Sequence, residues 1–152
     1  MPDIPPEIAV YPVQHLPIIK AYADQRGLVS LINHYVPTEM DMDAGTVVLG
    51  LVLDTLSGRS PLYRLEEVFA HQDTELLLGK AFPPHAFTDD TVGRVLDRLY
   101  DFGTMRLLTA CAVRASMRFD LERRYGHCDT TSRSVWGEDA FAETQDLPCQ
   151  VT

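Results

Sequence analysis

The chain has 152 residues and a formal net charge of −9, with 45% hydrophobic and 23% charged side chains. That length and balance suit one globular domain with a real core and are ordinary for a soluble protein. The longest apolar run, Val47 to Leu53, is far too short to span a bilayer, and Met1-Pro-Asp-Ile-Pro-Pro has no secretion-signal pattern.

Three widely spaced cysteines, Cys111, Cys128 and Cys149, argue against a disulfide framework, so the expectation is a cytoplasmic protein with no membrane role. The charge is unevenly spread. Residues 1–58 hold 2 basic and 7 acidic side chains, a net of −5. Residues 103–126 set Arg106, Arg114, Arg118, Arg123 and Arg124 against Asp120 and Glu122, a net of +3. Only this second stretch resembles a phosphate-binding footprint.

Residues 1–12 carry four of the ten prolines and read as an extended lead-in. Val13 to Ala23 has helical spacing, with Pro17 confined to the first turn and Gly27 as the stop. Leu28 to Tyr35 is a second short helix before Pro37. Asp41 or Asp43 can cap the next helix, Ala44 to Leu56, closed by Ser57-Gly58. This segment is apolar almost all round, the mark of a buried helix, and is expected to be the centre of a bundle. Gly50 within it would permit close packing.

Ser60-Pro61 reads as an N-cap followed by proline at the first helical position, with Leu62, Leu65, Val68 and Phe69 inward. Asp73 can cap a short helix ending at Gly79, and Phe82 to Phe87 is expected to be a loop. Thr88 caps an amphipathic helix to about Phe102-Gly103, burying Val92, Val95, Leu96 and Leu99. Its Asp90, Arg94, Arg98 and Asp101 describe a solvated charged face. The last helix runs from Thr104 to about Phe119, with Leu107, Leu108, Cys111, Ala112, Ala115 and Phe119 on its packing side. Arg114 and Arg118, four apart, share another face.

The stretch His127-Cys-Asp-Thr-Thr-Ser-Arg-Ser-Val-Trp-Gly137 changes character. Thr130, Thr131, Val135 and Trp136 favour a pleated strand over roughly Arg124–Trp136, and His127, Asp129, Thr131, Arg133 and Val135 then share one face. A carboxylate on a polar strand face suits Mg²⁺, a hard cation that takes oxygen donors; a solvated edge-strand Asp is the alternative. After Gly137 comes an acidic connector, Glu138 to Asp146, and Pro148–Thr152 reads as the start of a second strand.

The run HCDTTSRSVWGE resembles the first catalytic segment of DDE-type insertion-sequence transposases. Ser60 to Gly79 and Phe87 to Gly103 are similar, in the same order, to upstream elements of one branch of that family. The resemblance covers about Val10 to Trp136. It implies a helical N-terminal domain, 13–122, followed over 123–152 by the start of a ribonuclease-H-like domain. It also implies Asp129 as the first acid and metal ligand of a two-Mg²⁺ phosphoryl-transfer site, with two further acids from later strands. None of those appears by Thr152, so the expectation is a truncated fragment, inactive alone and binding no Mg²⁺ of its own.

The expected fold is thus mainly α, a helical bundle followed by one strand or hairpin of an incomplete ribonuclease-H-like domain. The expected partners are transposon-end DNA, met by Arg114, Arg118, Arg123 and Arg124, and a second protomer. The rival expectation is a helical protein–protein interaction module without a nucleic-acid role. Other chemistries find no support. The five histidines and three cysteines lack zinc spacing, no P-loop, G-x-G-x-x-G or G-x-S-x-G is present, and one short strand cannot set Ser132, His127 and Asp129 in relay.

Overall fold

A computed structural model describes residues 10–120 of the chain. All of them lie in the first of two compact units, Met1–Leu121. The strand expected over Arg124–Trp136, its partner Pro148–Thr152, the lead-in before residue 10 and the acidic connector lie outside the described residues. Within them the chain is mainly helical: α1 (Leu16–Arg26), α2 (Leu28–Tyr35), α3 (Ala44–Ser57), α4 (Leu65–Ala70), α5 (Thr74–Leu78), α6 (Asp89–Phe102) and α7 (Thr104–Arg118), with 3-10 turns at Leu62–Arg64 and Pro84–Phe87. No helix among them is long and apolar enough to cross a membrane.

α1 begins three residues later than its periodicity indicates. Pro17 has no N–H to offer Val13, so it is tolerated only at the helix start and pushes that start to Leu16. Gly27, at φ 61°, ends α1 and opens α2. A side chain is strained at that dihedral, and glycine makes the abrupt turn between the two helices available.

α3 is the centre of the packing. Asp43 caps it by accepting the Thr46 N–H at 2.8 Å. Its start is pressed against α2: a Cβ on Gly45 would stand 2.4 Å from the Val29 carbonyl oxygen. There the Gly45 N–H donates to Asn33 Oδ1 at 2.7 Å. One turn on, Gly50 seats a stacked pair of rings. Phe69 and Phe87 lie face to face with centroids 3.9 Å apart, and a Cβ on Gly50 would meet Phe87 at 3.0 Å. Ala44, Val47, Leu49 and Leu53 join Ile32, Leu65, Leu77, Val92 and Val95 in one core.

α3 is not buried all round, however. Leu56 is 55% exposed, while Asp54 is buried. The Asp54 carboxylate accepts the Ser60 N–H at 2.9 Å, and its main-chain oxygen accepts Gly58 and Arg59 N–H groups. This corrects the start expected at Ser60-Pro61. With the Ser60 N–H turned back to Asp54, Pro61 stays extended (ψ 144°) and the helix is delayed to Leu65 behind a 3-10 turn. Leu62, expected inward, is exposed.

The caps of α5 and α6 are the expected ones. Asp73 accepts Leu76 N–H at 3.0 Å and Thr88 accepts Thr91 N–H at 3.2 Å. The expected loop Phe82–Phe87 holds the second 3-10 turn, which drives Phe87 into the core. On α6 the buried stripe is Val92, Val95 and Leu99; Leu96 stands at its edge and is partly exposed. α7 departs furthest from expectation. It packs beside α6, α2 and α1 yet buries no residue fully. Leu107, Cys111, Ala115 and Phe119 are half-buried, whereas Leu108 and Ala112 face out. A helix that docks on one flank of a formed bundle covers only the stripe it lays down.

Candidate functional site

Arg114 and Arg118 sit one turn apart on the exposed side of α7. Arg118 Nε donates to the Gln25 carbonyl at 3.3 Å, satisfying an orphan acceptor in the last turn of α1. The Arg114 guanidinium lies beside Gly27, where a glycine Cβ would be 2.7 Å from its Nη2. Arg26, the last residue of α1, places its guanidinium over the Phe119 ring at 5.3 Å from the centroid. Three arginines from two helices distant in sequence thus converge where α1 turns into α2.

Between them opens a groove of about 740 Å³, lined by these arginines and Gln25 and by apolar Leu31, Tyr35, Ala110, Val113 and Met117. Met117 is 72% exposed and Val113 46%. The ion pairs among the described residues are Lys20–Asp24, Arg64–Glu67 and Arg94–Asp90, so none of the three groove arginines has a carboxylate partner there. α7 itself has three arginines and no acid. Its remaining one, Arg106, lies over the Phe102 ring at 5.1 Å and does not line the groove.

Guanidinium groups stay protonated throughout the accessible pH range and can hold carboxylates or phosphates in a fork, so the chemistry of this arrangement suits anions rather than proton transfer. Cys111 lies half-buried on the same helix. Burial pushes its thiol pKa up, against a weaker downward pull from Arg114 and Arg26. The shift favours the neutral thiol, the poorer nucleophile. On α6 the solvated pair expected from spacing is present: Arg94 donates to Asp90, which pushes the guanidinium pKa further up.

Asp129, expected as the first catalytic acid and Mg²⁺ ligand, and Arg123 and Arg124, expected at DNA, lie outside the described residues. Of the four arginines singled out by sequence, Arg114 and Arg118 are brought together. Arg26 was not singled out, because in sequence it is only a basic residue in a helix's last turn. Among the described residues no group of three His, Cys, Asp or Glu side chains is placed to hold a metal ion.

A family described as "Domain of unknown function (DUF4277)" matches residues 8–113. Neither the curated proteins nor the solved structures contain a match to the chain.

Proposed function

The chain belongs to the DUF4277 family, and from that footing we propose that it is the N-terminal region of a DDE-type insertion-sequence transposase. In this reading residues 13–122 form the helical domain and residues 123–152 begin a ribonuclease-H-like domain, in which Asp129 is the first of three acids for Mg²⁺. The observation that carries it is the ordered set of three segments, Ser60–Gly79, Phe87–Gly103 and His127–Glu138, that resemble that family. The first two are also one packing unit, since Phe69 of one stacks on Phe87 of the other.

The helical domain then serves assembly rather than chemistry. Arg114 and Arg118, with Arg123 and Arg124, meet the backbone phosphates of transposon-end DNA, and Mg²⁺ acts only in the catalytic domain. The test is fluorescence anisotropy of labelled element-end DNA titrated with the full chain across a salt series. Each of the four arginines changed to Gln should weaken binding alike on all sequences and lower the salt slope by about one. Binding untouched by all four changes, or none at all, refutes the DNA contact.

A second reading, a helical protein–protein interaction module, is favoured by one specific feature. The groove beside Arg114 and Arg118 is half apolar, and phosphates make no use of Leu31, Val113 and Met117.

A further inference from the structure

The groove presents two unmet needs at once: exposed Val113 and Met117, and arginines without carboxylates among the described residues. α7 cannot meet them by pairing with its own copy, because it has no acid and arginine would face arginine. The outer face of α6 has the complementary pattern. Tyr100 is 77% and Leu96 37% exposed, and Asp97 and Asp101 are exposed with no ion-pair partner among the described residues.

The spacing matches as well as the chemistry. On α7 the apolar pair Val113 and Met117 is four residues apart, and the basic pair Arg114 and Arg118 follows it by one. On α6 the apolar pair Leu96 and Tyr100 is four apart, and the acidic pair Asp97 and Asp101 follows it by one. In a right-handed helix, residue i+1 lies to the same side of residue i when seen from outside with the chain running upward. Two such helices placed face to face bring like sides together only when antiparallel. Leu96 then meets Met117, Tyr100 meets Val113, Asp97 meets Arg118 and Asp101 meets Arg114. A parallel pairing that matched the apolar pairs would leave the acids and the arginines on opposite sides of the contact.

We propose that the groove of one copy receives α6 of a second copy in this antiparallel register. Every copy carries both surfaces, and filled reciprocally about a two-fold axis they close the assembly as a dimer rather than an open chain. The apolar contacts supply the burial, and the arginine–aspartate pairs set direction and register. The pairing and the proposed DNA contact draw on the same Arg114 and Arg118: a dimer without DNA binding refutes that contact and leaves this pairing, and a DNA-binding monomer does the reverse.

The experiment is sedimentation velocity on the full chain over a concentration series, with helicity and melting checked for each variant. Wild type should dimerise. Arg114→Glu with Arg118→Glu, and separately Asp97→Arg with Asp101→Arg, should each weaken self-association by at least about tenfold, since like charges then face one another. Mixing the two variants restores opposite charges in both contacts, so the mixture should form a heterodimer of near wild-type affinity. A monomeric wild type, a dimer indifferent to either reversal, or a mixture that stays monomeric overturns the proposal. So does a monomer whose groove variants lose only binding to DNA.

Discussion

Replacing Gly45 by alanine and, separately, Gly93 by alanine applies one chemical change to two helices and should shift stability in opposite directions. In a helix interior the change is favourable by up to about 1 kcal/mol, because alanine loses less backbone entropy on folding. At Gly93 nothing stands within 4 Å of the new Cβ, so the gain should appear almost in full, about 0.5–1 kcal/mol. At Gly45 the Cβ would stand 2.4 Å from the Val29 carbonyl oxygen and 2.8 Å from Val29 Cα. Those atoms are backbone and cannot swing aside, so α2 and α3 must separate. Overpacking of this kind costs about 1–3 kcal/mol. Separation also stretches the 2.7 Å Gly45–Asn33 hydrogen bond, which is worth about another 1 kcal/mol. With the helix gain, small at this second residue of α3, set against these costs, Gly45→Ala should destabilise by about 1–4 kcal/mol. Urea unfolding of the full chain, followed by helical circular dichroism, reads both variants. A Gly45→Ala chain as stable as wild type would show that α2 and α3 do not meet there.

Two further outcomes are expected. Asp43→Ala and Thr88→Ala should each cost about 1 kcal/mol in the same assay, since each side chain caps a helix, while Ser60→Ala should stay within about 0.5 kcal/mol because only its main-chain N–H is used. Cys111, in a chain whose Cys128 and Cys149 are changed to Ser, should alkylate more slowly in the folded than in the urea-unfolded protein near pH 9, because burial raises its pKa above the ordinary 9.0. A raised folded pKa means stabilisation that is complete below the unfolded value and lost as pH rises through the folded one. Urea midpoints should therefore fall on the alkaline side, and less so in Cys111→Ala.

Side-chain spacing alone located the helices because the signals that start and stop them are local. An aspartate or threonine caps donors two or three residues ahead, and a glycine takes the left-handed turn where it stands. Hence Asp43, Asp73, Thr88, Gly27 and Gly79 are all found in the roles their neighbours assign them. Where spacing misled, a longer reach was at work. Ser60 has the chemistry of a cap, but a buried carboxylate six residues back takes its N–H, and no periodicity announces that Asp54 is buried. Leu108 and Ala112 lie on an apolar arc of α7 that helical spacing cannot distinguish from the docked one. The shape of the finished bundle selects the stripe through Leu107, Cys111 and Ala115.

The candidate site divides in the same way. Arg114 and Arg118 are one helical turn apart in any α-helix, so their pairing was already present in the amino-acid order. That an acidic chain concentrates its positive charge over 103–126 was equally plain from composition. Arg26 joins them from 88 positions earlier only because Gly27 turns α1 into α2 and α7 lies across that corner. The apolar wall of Leu31, Val113 and Met117 comes from the same placement. Local hydrogen bonding and backbone sterics act over three or four residues and are written in the sequence. Which faces are covered, which charges meet and where a groove remains depend on contacts between distant segments, and those were decided when the helices packed.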